Sequence, residues 1–285
     1  MARFGAIAGF HRLVEGEDSA AFGFSAAGSA YVARVNRSAA GFEKDRLAFE
    51  RFNAPALPVP EIVAIAPLGE LFLCISRRLP GETLQALPAG GAKRYGAAVG
   101  ALLDALANQD MGAFPGFGIF DAHGRAPHRH WRDVIAATAA LPWRDLASPE
   151  EMALVAPLLD RLLGASAGLE DVAGLVHGDF GSNNVLVEAG RITGLIDWSE
   201  AMIGDPLYDV ANILFWRPWL DCMEQQGRHF ETVEPFRLRD AERLACYQLR
   251  IGLETLAEAR RAGDRRTGDW ALSRCLAVAG SIRQG

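Results

Sequence analysis

The most constraining feature of this chain is a pair of apolar strands joined by a tight turn, with one aspartate before the pair and another directly after it. Leu175-Val176-His177 reads as a strand that delivers Gly178 and Asp179 into a loop. Asn184-Val185-Leu186-Val187 and Arg191-Ile192-Thr193-Gly194-Leu195-Ile196 then read as a hairpin across Glu188-Ala189-Gly190. Asp197 follows at the hairpin's far end, eighteen residues after Asp179. A chain built this way brings two carboxylates and the amide of Asn184 to one end of one hairpin.

That set suits phosphoryl transfer to an alcohol. The reaction needs a carboxylate near the attacking hydroxyl, metal ligands for the nucleotide phosphates and positive charge close to them. Asp179 is the candidate catalytic base. Asn184, at the Asp-x-x-x-x-Asn spacing of kinase catalytic loops, offers an amide oxygen, and Asp197 offers a carboxylate. Both are hard oxygen donors of the kind Mg²⁺ prefers. The competing reading makes both aspartates turn or helix caps. Isolated Asp-x-x-x-x-Asn is common, but His177-Gly178 in front, a hairpin behind and Ile196-Asp197-Trp198 after it favour the catalytic reading.

The rest of the chain divides in two. Ala21–Ser25 and Tyr31–Val35 are rich in strand formers around the turn Ala26-Ala27-Gly28-Ser29. Phe42, Leu47, Phe49 and Phe52 recur at helical spacing between Ser38 and Asn53, and Pro55, Pro58 and Pro60 end that pattern. Ile62–Ile65 and Leu71–Ile75 are two further strands. Beyond Pro80-Gly81 the pattern turns helical over 93–106, 131–141, 150–163, 210–216, 219–230 and 239–261, with a loop over 107–129. The expectation is an α+β chain: a small, mostly antiparallel β-rich lobe over 1–78 with one helix against it, a connection near 76–81, and a larger helical lobe over 79–285.

Charge narrows the partners. The net charge is −6, and residues 170–231 hold eleven Asp/Glu against three Arg and no Lys. That excludes an electrostatic footprint for nucleic acid and suits a cationic small molecule. Four widely spaced cysteines form no Cys-x-x-Cys pair, so neither a zinc site nor a disulfide framework is expected. No apolar run reaches the roughly 20 residues of a membrane span. The first ten residues lack a secretory core. The expectation is a cytoplasmic monomer.

Residues 177–184, Ile196-Asp197-Trp198 and Gly204-Asp205-Pro206-Leu207-Tyr208-Asp209-Val210-Ala211 together resemble the aminoglycoside phosphotransferase family. Within it, stretches such as 175–186, 196–202 and 215–226, with Lys44-Asp45-Arg46 upstream, are most similar to the hygromycin kinase group. The resemblance spans most of the chain from about Val14. It implies a protein-kinase-like two-lobed fold, ATP with Mg²⁺ as cofactors and a cationic antibiotic, hygromycin B, as acceptor. It also implies that Asp179 is the base, that Asn184 and Asp197 hold magnesium, that His177 supports the loop, that Asp205 orders the loop after the metal site and that Asp209 caps the next helix. The motif alone leaves other acceptors open: another aminoglycoside, a macrolide, an amino alcohol or a sugar. A nucleotide-binding module without catalysis is the reading from another class.

The chain departs from the kinase pattern at the third-strand lysine. That position falls on Arg34, whose planar, permanently charged guanidinium can hold two phosphate oxygens. Its carboxylate partner is expected at Asp45, with Glu50 second. The phosphate-covering loop, Glu15-Gly16-Glu17-Asp18-Ser19, has a single glycine, and Ser19 is its candidate contact. Ser76 and Arg78 fall in the connection that would hold the base through main-chain groups. For the acceptor, Glu200, Trp216, Trp219 and Asp221 supply carboxylates for ammonium groups and flat faces for sugars. Each Trp is equally a candidate for core packing.

Overall fold

A computed structural model of the protein describes residues 5–13 and 20–281. The phosphate-loop expectation, Ser19 included, lies outside the described residues. The first half of the fold is a five-stranded antiparallel sheet of β1 (Ile7–Arg12), β2 (Ala20–Ala26), β3 (Ser29–Asn36), β4 (Ile62–Leu68) and β5 (Leu71–Arg77), in the order β1-β2-β3-β5-β4. Helix α1 (Ala40–Phe52) runs between β3 and β4. The β2–β3 turn has both central residues left-handed, Ala27 at φ 48° and Gly28 at φ 75°. That is the twist a two-residue hairpin needs, at a cost of about 1 kcal/mol for the alanine. Strand β1 was not expected, because Gly5 and Gly9 break its apolar pattern. It pairs with β2 across a register shift between Ala8 and His11.

Helix α1 does more than cover the sheet. Its buried face carries Phe42, Lys44, Asp45, Ala48 and Phe52. Ala48 and Phe52 join the main core, where Phe52 lies 6.0 Å from the ring of Trp198. The sheet keeps a small cluster of its own around Phe24, Ala26, Tyr31 and Ala33.

The remainder is mostly helical. Strand β6 (Glu82–Thr83) follows the connection, then α2 (Gly96–Ala107), β7 (Gly118–Ile119), α3 (Trp131–Ala136), α4 (Trp143–Leu146) and α5 (Pro149–Ser166). Helix α5 starts at a capping box, where Ser148 Oγ accepts from Glu151 N–H and the Glu151 carboxylate accepts from Ser148 N–H, worth about 1 kcal/mol. Strand β8 (Gly174–Val176) leads into the candidate catalytic loop, β9 (Val185–Glu188) and β10 (Arg191–Leu195) form the expected hairpin, and β11 (Met202–Gly204) pairs with β8 and β7. This hairpin also turns through left-handed Ala189 and Gly190. Helices α6 (Leu207–Trp216), α7 (Asp221–Thr232), α8 (Ala241–Ala262) and α9 (Arg265–Ala279) complete the fold. Helix α9 was not expected: its buried face carries mostly small residues, Gly268, Ala271, Cys275 and Ala279, beside Leu272 and Val278, and it opens on polar residues. No helix among the described residues is long and apolar enough to cross a membrane.

Candidate active site

Three chain segments converge at the end of the β9–β10 hairpin. Asn184 and Ile196 face each other there, with Ile196 N–H donating to Asn184 O at 2.9 Å, so Asn184 and Asp197 are brought together by the backbone ladder. The Asn184 amide nitrogen donates to both the carbonyl and the carboxylate of Asp179, each at 2.8 Å. The structure therefore assembles Asp179, Asn184 and Asp197 as one group. Gly178 is required for it: at φ 84°, a Cβ there would lie 2.2 Å from the carbonyl oxygen of Glu200. The loop bearing Asp179 thus rests directly on the chain that follows Asp197.

His177 holds this loop from below. It is fully buried, and burial pushes its imidazole down to about 4, so the ring is neutral near pH 7. Its Nε2–H then donates to Ile196 O at 3.1 Å, and the ring packs edge-on against Trp198. The supporting role expected of His177 matches this geometry.

Asp209 differs from expectation. It sits in the first turn of α6, but its carboxylate caps no helix: it accepts His177 N–H at 2.8 Å and Gly178 N–H at 3.0 Å. The helix start instead belongs to Asp205, which accepts Leu207 N–H at 3.0 Å and also takes Tyr247 O–H at 2.8 Å and Arg243 at 3.0 Å from α8. Two consecutive loop N–H groups pointing into the core need an acceptor, and Asp209 is the residue that reaches them.

Arg34 lies on the central strand β3, between Ala21 and Cys74 of its neighbours. It forms an ion pair with Asp45, the expected partner, rather than with Glu50. The second Asp45 oxygen accepts Trp198 N–H at 2.9 Å. Asp45 therefore joins the candidate phosphate-binding cation to the residue beside Asp197.

Asp197 has left-handed backbone, φ 61°. Its carboxylate accepts the Ser199 hydroxyl at 2.9 Å. Ser199 and Ala201 carbonyls in turn accept the ammonium of Lys44, at 2.5 and 3.1 Å. Burial lowers Lys44 to about 8, opposed by Glu200, Asp45 and Asp197. This contact was not foreseen: main-chain carbonyls 155 residues away leave no mark in sequence.

Ser76, expected in the connection, instead lies within β5, buried and paired in register with Val32 and Ile62, because the ladder to both neighbouring strands runs on to Arg77. Arg77 N–H is taken by Glu61 O at 2.9 Å and Arg78 N–H by Ala30 O at 3.0 Å. Those two main-chain donors are therefore already used within the protein.

The acceptor candidates separate. Glu200 lies beside the Asp179 group, at the rim. Desolvation raises its carboxyl, Lys44 opposes that, and Asp179, Glu254 and Asp197 reinforce it. Glu254 and Glu258, one turn apart on α8, lie within electrostatic reach of Glu200, and Glu254 also accepts the Thr138 hydroxyl at 3.0 Å and pairs with Arg250 at 3.0 Å. Desolvation raises Glu258 too, reinforced by Glu254, Glu200 and Asp179. Neither glutamate was singled out from sequence, although their four-residue spacing on a helix was a readable signal. Trp216 stacks on Trp270 with ring centroids 5.0 Å apart, and Trp219 meets Trp270 edge-on with Arg266 over its ring. Both tryptophans are thus partly used in packing. Asp221 is committed elsewhere, accepting Gly90 N–H at 2.7 Å. The acidic segment is also partly neutralised, since Arg217 pairs with Glu224 and Glu231, and Arg228 with Glu224.

Among the described residues no group of three or more His, Cys, Asp or Glu could hold a metal alone. The donors present still fit Mg²⁺. The Asn184 nitrogen is committed to Asp179, which leaves its amide oxygen as the donor, and Asp197 adds a carboxylate. Mg²⁺ is commonly held by one or two protein oxygens plus phosphates and water.

The chain is similar to several known phosphotransferases. Residues 10–245 match the sequence model of the phosphotransferase enzyme family. Hygromycin-B 4-O-kinase of Escherichia coli is 44% identical over 287 aligned residues, covering 99% of this chain and 83% of that protein. A crystal structure of a thermostable mutant of aminoglycoside phosphotransferase APH(4)-Ia, in ternary complex with AMP-PNP and hygromycin B, superposes with a TM-score of 0.94. It is 45% identical, covering 98% of this chain and 96% of that one. The GDP complex of aminoglycoside 2'-phosphotransferase-IIIa, at 16% identity, shares the fold with a TM-score of 0.61, over 97% of this chain and 94% of that one. The expected α+β, kinase-like architecture and the resemblance carried by residues 177–184 and 196–211 both hold. With its family's sequence model matched over residues 10–245 and a relative at 44% identity along nearly its full length, the chain belongs to the phosphotransferase enzyme family.

Proposed function

We propose that the protein transfers the γ-phosphoryl group of ATP to a hydroxyl of hygromycin B, at the 4-position named for its relative. The observation that carries this reading is the Asp179–Asn184–Asp197 group, on a chain 44% identical to a hygromycin-B 4-O-kinase. Asp179, oriented by Asn184, accepts the proton of the attacking hydroxyl. The hydroxyl oxygen forms its bond to the γ-phosphorus as the bond to the bridging β,γ-oxygen breaks, and ADP leaves with that electron pair. Arg34, held by Asp45, offsets phosphate charge. Magnesium, held by Asn184 and Asp197, would neutralise charge on the phosphates. The nucleotide would lie between the sheet of residues 7–77 and the helical part, which act as the two lobes.

Glu200, Glu254 and Glu258 form the acidic wall that receives the ammonium groups of the acceptor. Trp216 and Trp219 offer their remaining exposed edges to sugar rings, and Asp221 positions α7. Every residue invoked comes from one chain, so a monomer suffices. The test is product analysis: purified protein with Mg-ATP and hygromycin B, with the phosphorylated carbon identified by phosphorus–proton correlation NMR. Phosphate on the 4-hydroxyl supports the reading. Transfer only to another aminoglycoside, a macrolide or an amino alcohol would keep the kinase and replace the acceptor.

A further inference from the structure

Lys44 is an unusual residue to find inside a core. Its side chain is on the buried face of α1, with the ammonium 4.8 Å from the ring centre of Phe120, and the residue is only 5% exposed. A charge placed there costs stability unless its hydrogen bonds are made. The bonds it makes are to the carbonyls of Ser199 and Ala201. These flank Glu200 and directly follow Asp197 and Trp198. Helix α1 thus grips residues 198–201 at three points, through Lys44 twice and through Asp45 once. Gly41 brings the first turn of the helix close as well, since a Cβ there would lie 3.5 Å from the Ser199 side chain.

The grip reaches Asp197 through Ser199. The Ser199 carbonyl is held by Lys44 while its hydroxyl donates to the Asp197 carboxylate. Asp197 itself has left-handed backbone, a conformation that an aspartate adopts when its side chain and surroundings are fixed by local hydrogen bonds. We infer that Lys44 is a positioning residue that sets the orientation of Asp197 by clamping the carbonyls of Ser199 and Ala201 to helix α1. This rests on Asp197 being a magnesium ligand, as proposed above. Groups that orient a ligand without touching the metal change affinity or activity by roughly 10–100-fold when removed.

The test is calorimetric binding of AMP-PNP with and without Mg²⁺, on the intact protein and on Asp197→Ala, Lys44→Met and Lys44→Gln. Magnesium should tighten binding to the intact protein and should do so no longer in Asp197→Ala. If Asp197→Ala keeps the tightening, the metal assignment fails and takes the inference with it. Lys44→Met should bind metal-free nucleotide as the intact protein does but lose roughly 10-fold or more of the magnesium-dependent gain. Lys44→Gln, which keeps two N–H donors on a shorter arm, should recover part of it and serves if the methionine variant does not fold. Loss of the gain in Asp197→Ala with full retention in Lys44→Met, or in Lys44→Gln if only that variant folds, would overturn the role of Lys44 and leave the metal assignment standing. An equal loss with and without Mg²⁺ would overturn it too, showing a general packing role.

Discussion

The side-chain nitrogen of Asn184 donates to both the carbonyl and the carboxylate of Asp179, each at 2.8 Å. One amide therefore orients the candidate base with its nitrogen and leaves its oxygen pointing away from Asp179, as the proposed magnesium ligand. Asn184→Ala removes both contributions. Its kcat should fall by roughly 10²-fold or more, the lower range for a misplaced general base, with a raised Mg²⁺ requirement. Steady-state kinetics over a Mg²⁺ series checks this, and a kcat near that of the intact protein contradicts it.

Arg34 and Asp45 form a pair that is buried on the carboxylate side. Arg34→Ala should raise the KM for ATP and also destabilise the protein by about 3 kcal/mol, because Asp45 is left as an unpaired buried charge. Arg34→Lys should recover stability better than ATP use, since a lysine does not reproduce the two-pronged guanidinium. Thermal melts and ATP kinetics on both variants separate the two effects.

How far the sequence could be read follows from what kind of contact each residue makes. The Asp179–Asn184–Asp197 group was legible because a hairpin of known length fixes where its ends fall. The Arg34–Asp45 pair was legible from strand and helix order. The grip of Lys44 was not, because its partners are backbone carbonyls and any residue could have supplied them. Asp209 was misread as a cap because position in a first turn does not say which way the carboxylate faces. Trp216 and Trp219 were read without Trp270, whose helix had been missed, so the partner that takes up part of their surface was absent from the reading.

His177 gives a pH signature. Its imidazole is depressed to about 4 in the folded state against an ordinary value near 6.5. Between those values the unfolded chain binds the extra proton, so stability is fully present above about 6.5 and falls as pH drops toward 4, by about 3 kcal/mol in all. Burial pushes Asp209 up to about 7, which shifts stability the opposite way over this range, so the His177 part is read as the difference in urea unfolding without Mg²⁺ between the intact protein and His177→Gln. His177→Gln, which keeps a donor for Ile196 O, should lack that component. Equal pH slopes in the two proteins would contradict the assignment.

Glu200 and Glu258 both feel the charge of Asp179, and in the proposed function both face the cationic acceptor. Glu200→Gln and Glu258→Gln should each raise the KM for hygromycin B by roughly 10-fold, the loss expected for one charged hydrogen bond, and change kcat little. Added salt should narrow the difference. An unchanged KM in both would move the acceptor elsewhere.

The most direct test of the account is ADP release by the purified protein with Mg-ATP, with and without hygromycin B, for the intact chain and for Asp179→Asn. Hygromycin B should strongly stimulate the intact protein and stimulate the variant at least ~10²-fold less, with nucleotide binding kept. Stimulation that survives Asp179→Asn, or none in the intact protein, would contradict it.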